Sequence, residues 1–219
     1  NAVRLHEQGR LDEAENAYRR ILEVAPEHVG ATRLLAMIAM RRRAYDSAIE
    51  LLYKAVRLAP EDVACEFTLA QALQDAGRPK EALEHYKTVL AMDDSYPETY
   101  HNMGIVHRFL GDADKARELF EKAVAMRPVF SSAHVNLALL ARDAGDFDGA
   151  LARLDKAVAA DPRNAEAYAQ RAVTLRLAGK YEQSLEQYDK AAELSPGNAI
   201  YINGRGIALE RLGRLDEAF

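Results

Sequence analysis

The chain has 219 residues, 29 basic and 34 acidic side chains and a formal net charge of −5. That balance argues against a nucleic-acid-binding surface, which carries a basic excess. It has one cysteine, Cys65, so no internal disulfide forms, and no apolar run near the roughly 18 residues of a membrane span. Its opening residues read as neither a secretory nor a transit signal, and cytoplasm is the expected compartment.

Taken in chain order, one pattern recurs. Residues 1–28 read as the end of a helix, a turn at Gly9, and a second helix that carries Ala14 and Tyr18 and stops before Pro26. Residues 29–62 repeat it with Arg43 at the turn, then Ala48, Leu52 and Pro60. In 63–96 the same places hold Gly77, Ala82, Tyr86 and Asp94, and in 97–130 they hold Gly111, Ala116, Phe120 and Pro128. Residues 131–164 supply Gly145, Ala150, Leu154 and Pro162, and 165–198 supply Gly179, Ser184, Tyr188 and Pro196. The last piece, 199–219, reaches Gly213 and Ala218. The step is 34 residues throughout. A fixed period of this size signals a solenoid, in which each unit buries its apolar face only against its neighbours.

Each period reads as two short helices. Pro97 suits a first helical turn, where its missing N–H is no loss. Gly111 suits a left-handed helix end, and Asp112 or Asp114 suits the cap of the next helix. Ala116, Leu119, Phe120, Ala123 and Val124 form the apolar stripe of the second helix. In the first helices, Ala36, Ala70, Gly104, Ala138, Ala172 and Gly206 form a column of small residues, set to receive the large residues Tyr18, Leu52, Tyr86, Phe120, Leu154 and Tyr188. Arg43 stands where the other repeats have glycine, which predicts a looser or altered turn there.

These columns resemble the tetratricopeptide repeat, a helix-turn-helix unit, over the whole chain. The resemblance implies an all-α fold, a right-handed α-solenoid superhelix of antiparallel helix pairs, in one array. Partial repeats at 1–28 and 199–219 would flank full ones at 29–62, 63–96, 97–130, 131–164 and 165–198. Neither end reads as a polar cap, so the natural protein is expected to continue in both directions or to stack end to end on other copies. The excess of arginine over lysine suggests a GC-rich bacterial source.

Helical geometry puts the second, fifth, sixth, ninth, twelfth and thirteenth positions of each first helix on an inner groove. The sixth column includes the amides Asn102, Asn136 and Gln170, and the twelfth the cations Arg108, Arg142 and Arg176. A side-chain amide offers a donor and an acceptor, as capture of an extended peptide backbone requires. The arginines favour acidic partner segments, or are neutralised by Asp143, Asp75 or Glu166. Ile105, Leu139 and Val173 supply an apolar floor, with His101 and Phe109 on the same face. The amide column is partly similar to the asparagine ladder in the tetratricopeptide arm of O-linked N-acetylglucosamine transferase. The carboxylate clamp of chaperone-binding members is matched at Asn136 alone, and Glu166 would repel a terminal carboxylate.

Nothing in the sequence points to catalysis, a cofactor or a metal. His101 and His107 fall on different faces of one helix, and Cys65 has no histidine beside it in its turn. The glycines stand one period apart rather than clustered around a phosphate. Arg171 and Arg205, at normally apolar positions, are expected to lay their stems on the second helices. The reading is a non-catalytic scaffold that binds an extended protein or peptide segment. Two alternatives stand beside it: a substrate-recruiting arm of a larger glycosyltransferase or sulfotransferase, and a self-assembly module.

Overall fold

The computed structural model of the chain describes residues 2–217. Asn1, Ala218 and Phe219, the last two belonging to the final partial repeat, lie outside the described residues. Thirteen α-helices account for nearly all of the described chain, and no strand occurs among those residues. They are α1 (Ala2–Glu7), α2 (Leu11–Val24), α3 (Val29–Arg41), α4 (Tyr45–Leu58), α5 (Val63–Asp75), α6 (Pro79–Met92) and α7 (Pro97–Phe109). Then follow α8 (Ala113–Met126), α9 (Ser131–Asp143), α10 (Phe147–Ala160), α11 (Ala165–Leu177), α12 (Tyr181–Leu194) and α13 (Ala199–Arg211), with a single 3-10 turn at Leu215–Glu217. The helix starts follow the sequence period: α7 opens at Pro97, and the Asp112 carboxylate caps α8 by accepting from the Lys115 amide at 3.2 Å. The chain divides into two compact units, Asn1–Val106 and His107–Phe219.

The turns between paired helices share one geometry. At Gly77 the backbone is left-handed (φ +74°), its N–H reaches the Gln74 carbonyl at 3.0 Å, and the Arg78 N–H reaches that of Leu73 at 2.9 Å. The expectation of a looser or altered turn at Arg43 fails. Arg43 adopts φ +59°, its N–H reaches Met40 at 2.9 Å, and the Ala44 N–H reaches Ala39 at 2.9 Å. The helix pair on either side dictates the turn, and the arginine backbone bears the left-handed strain instead of relaxing the loop.

Burial is divided into small cores, each shared by adjacent repeats. In the second unit, Leu154 of α10 packs with Ala138 of α9 and Ala167 of α11. One repeat further, Tyr188 of α12 packs with Ala172 of α11 and with Ala208 and Leu209 of α13. In the first unit, Tyr18 of α2 packs with Ala31, Leu35 and Ile38 of α3. Ala36, Ala70 and Ala172 of the small column are fully buried, as are Leu52, Tyr86 and Phe120 among the large residues. Burying an aliphatic or aromatic side chain of this size contributes about 1.5–3 kcal/mol, so a few such residues set the stability of each seam.

The sixth position of the first helix lies at this seam. Gly204 occupies it in α13, and a Cβ there would fall on the Tyr188 ring, with the hydroxyl at 2.8 Å. With Tyr188 in this rotamer, only glycine fits at position 204 without moving the ring.

Two stability predictions follow from these contacts. Arg43→Gly is expected to raise the unfolding free energy by about 1 kcal/mol, the left-handed strain exceeding the added entropy of the unfolded chain, as read by urea denaturation. Gly204→Ala should lower it by about 1–3 kcal/mol, and Tyr188→Leu in the same background should recover part of that loss. A Gly204→Ala protein as stable as wild type would show that the seam is loose.

Candidate functional site

The amides and arginines singled out from the sequence fall where the second-helix knob of one repeat meets the first helix of the next. In the first unit the knob is Tyr86, fully buried on α6. Its hydroxyl donates to the Gln74 Oε1 of α5 at 3.0 Å. Burial pushes the phenol upward, and a hydrogen bond from the Asn102 side chain of α7 offsets part of that shift. The Asn102 Oδ1 also lies 3.3 Å from the His101 Nδ1, and His101 is itself buried. Ile105 is half-buried one turn further along α7.

In the second unit, Leu154 fills the equivalent place and has no hydroxyl to offer. The cation before it reaches across instead: the Arg142 guanidinium of α9 donates to the Gln170 Oε1 of α11 at 2.7 Å. The Gln170 amide nitrogen donates to the Glu166 Oε1 at 2.5 Å, and the Tyr201 hydroxyl of α13 lies 3.3 Å from the other Glu166 oxygen. That carboxylate, together with burial, pushes the Tyr201 phenol upward, burial contributing most. Arg142 also approaches Asp143 at 3.7 Å. Asn136 is buried, and its Nδ2 donates to the Ser132 carbonyl of its own helix at 3.0 Å. Thr68 and Gly204, in the same column, are buried too. Thr68, Asn136 and Gly204 therefore lie deeper than an open groove lining, while Leu34, Asn102 and Gln170 are half-buried beside the knob of the preceding repeat.

Arg108 and Arg176 differ from Arg142. Among the described residues neither has a hydrogen-bond or ion-pair partner, and the Arg176 Nε is buried without one. Val173 and Leu139 are half-buried on α11 and α9, while Leu177 and Phe109 are exposed to 50% and 75%. Arg171 of α11 and Arg205 of α13 reach the neighbouring second helices, Arg171 to Asp155 of α10 (2.9 Å) and Gln187 of α12 (3.0 Å), Arg205 to Asp189 of α12 (2.7 Å).

Other groups are occupied in packing. Cys65 is fully buried, and burial pushes its thiol up to about 11, so little thiolate forms near neutrality. His107 pairs with the Asp112 carboxylate at 3.1 Å. Among the described residues no group of three His, Cys, Asp or Glu is placed to hold a metal ion, and no helix is long and apolar enough to cross a membrane.

Two features of the seam could not be read from single residues. Glu66 is buried on α5 and meets the His85 Nδ1 of α6 at 2.7 Å, with the His85 ring edge-on to Tyr53 of α4. In the first seam, His6 and Leu34 stand where Gln74 and Asn102 serve Tyr86, so the Tyr18 hydroxyl and the His6 Nδ1 are both buried without partners. The signal for both is the residue pair flanking the knob, visible once the columns are aligned.

Family comparison agrees with this architecture. Tetratricopeptide repeat models match residues 2–63, 39–103, 101–165, 135–199 and 171–219. The chain belongs to the tetratricopeptide repeat family. A curated relative, the protein O-mannosyl-transferase TMTC1 of Mus musculus, is 28% identical over 113 residues, or 50% of this chain. The chain spans only 12% of that protein's length. Among solved structures, the APC/C hetero-tetramer Cut9–Hcn1 superposes with a TM-score of 0.82 at 16% identity, covering 95% of this chain and 41% of that one. YrrB, described as a tetratricopeptide repeat protein with an unusual peptide-binding site, gives 0.58 at 19% identity, with 86% and 97% covered. At these identities the likeness is one of fold.

The contrast between tyrosine knobs in this tetratricopeptide array is testable. Tyr86→Phe is expected to cost about 1 kcal/mol, since it strips two side-chain partners, whereas Tyr18→Phe should be neutral or stabilising because its hydroxyl has none. Equal losses in urea denaturation would contradict the assigned hydrogen bonds.

Proposed function

We propose that this tetratricopeptide chain is a non-catalytic interaction scaffold that holds an extended, acidic segment of a partner protein on the face formed by its first helices. The observation that supports this is the pair Arg108 and Arg176, cations with no internal partner beside exposed Phe109 and Leu177. A guanidinium left unpaired next to apolar surface favours a carboxylate ligand flanked by apolar side chains. On this reading the sixth-column amides chiefly fix the seam. Gln170 has its oxygen on Arg142 and its nitrogen on Glu166, so it would have to exchange partners to grip a peptide backbone. The peptide-binding site named for YrrB supports the reading by analogy of fold.

A second reading is favoured by the similarity to TMTC1, an O-mannosyl-transferase. There the chain would be the substrate-recruiting segment of a longer glycosyltransferase, with the same face meeting the substrate protein.

Selection of a random peptide library on the chain tests the first reading. Enriched peptides should be acidic, their affinity should fall as salt rises, and Arg108→Ala/Arg176→Ala should weaken them about tenfold or more in fluorescence anisotropy. Peptides without acidic enrichment, or equal binding by the double variant with unchanged circular dichroism, would overturn it.

A further inference from the structure

A second site lies away from the first-helix face, between α8, α9 and α10 within the second unit. It is a cavity of about 580 Å³, with Val124, Ala125, Val129 and Ala159 among its apolar lining. Val129 stands 68% exposed to solvent.

The polar groups of this cavity are unusual. His134 of α9 lines it and is only 4% exposed. Its Nε2 lies 2.9 Å from the Pro128 carbonyl oxygen. A carbonyl only accepts, so the ring proton sits on Nε2 and Nδ1 carries the lone pair. That Nδ1 is buried with no hydrogen-bond partner, an arrangement native interiors rarely leave unexplained. Two cations of α10 share the cavity. Lys156 is exposed and has no partner among the described residues, and Arg153 makes a 3.4 Å contact with Glu121 of α8. The ionisable lining is thus two cations, one carboxylate that occupies one of them, and one neutral imidazole.

We propose that this cavity binds the carboxylate of an apolar acid, with the head group on Lys156 and Arg153 and the aliphatic tail along Val124, Val129 and Ala159. The acid is either a free aliphatic acid or the carboxy terminus of a partner chain that ends in an aliphatic residue. Cations and apolar wall together select such a ligand: a neutral tail alone leaves Lys156 unused, and an anion without a tail leaves the wall wet. His134 completes the site. Burial, and then the charges of Arg153 and Lys156, hold its imidazole below the ordinary histidine value, while the hydrogen bond to Pro128 acts the other way. A bound carboxylate would offset those two charges, so its arrival is sensed at the imidazole, which burial still holds below the ordinary value.

The test is nuclear magnetic resonance on the isotopically labelled chain near neutral pH with three probes. These are 4-methylpentanoate, an acetylated pentapeptide with a free C-terminal leucine, and the same peptide as its C-terminal amide. Saturable shifts at Val129, His134 and Ala159 are expected, with the His134 Nδ1 resonance among those that move. Arg153→Ala/Lys156→Ala, with unchanged circular dichroism, should weaken either acid about tenfold. Tighter binding of the peptide acid would identify a chain terminus as the source, and tighter binding of the free acid a small molecule. The proposal is overturned if the amide binds as well as the acid, if the double variant retains full affinity, or if no probe shifts these residues at millimolar concentration. Because these residues are separate from Arg108 and Arg176, failure here leaves the first-helix face untouched.

Discussion

Within each unit the repeats depend on one steric fit, a large side chain of a second helix pressed between the first helix of its own repeat and that of the next. Ala172 and Ala208 can lie against Tyr188 only because neither carries more than a methyl group, and Ala138 and Ala167 do the same for Leu154. The fit has no long-range component. Stability therefore accumulates seam by seam, as expected of a chain whose units contact only their neighbours. The turn at Arg43 illustrates the strength of the constraint: the packed helices impose a left-handed backbone on a residue that would otherwise avoid it.

The polar chemistry of the first-helix face follows from the identity of the knob. A tyrosine delivers a hydroxyl to the seam, and Gln74 and Asn102 satisfy Tyr86. A leucine delivers nothing, and at Leu154 the flanking arginine and glutamine join directly. At Tyr18 the flanking residues are His6 and Leu34, and the same hydroxyl goes unserved. An unmet buried hydroxyl costs about 1–3 kcal/mol, so the first seam is intrinsically weaker than the third for a reason written in two flanking residues.

Period, helix boundaries, the turn column and the large-against-small columns were legible in the sequence because each repeats, and repetition averages out the ambiguity of any single residue. Pro97, Asp112 and Tyr86 perform the tasks their positions imply. What could not be read was the depth of the sixth column. Helix phase alone turns Asn136 and Gln170 away from their own second helix, which reads as open groove. The knob of the preceding repeat is a tertiary neighbour, and beside it Asn136 is buried and Gln170 half-buried. The engagement of Arg142 and the freedom of Arg176 were equally hidden, since identical columns place them in identical frames and only the next residue along the seam separates them.

That separation bears on how such an array acquires a binding face. Arg142 is held because the next first helix supplies Gln170 as an acceptor. The corresponding position beyond Arg176 is Gly204, packed against Tyr188, and no side chain there can accept a hydrogen bond. Beyond Arg108 the corresponding residue is Asn136, which is buried and donates to the Ser132 carbonyl of its own helix. At Tyr188 the knob is accompanied by a glycine where Leu154 is accompanied by Gln170, and Arg176 has no acceptor there while Arg142 does. A packing column that appears purely structural decides which arginines stay tied to the scaffold and which stand available to a carboxylate from outside.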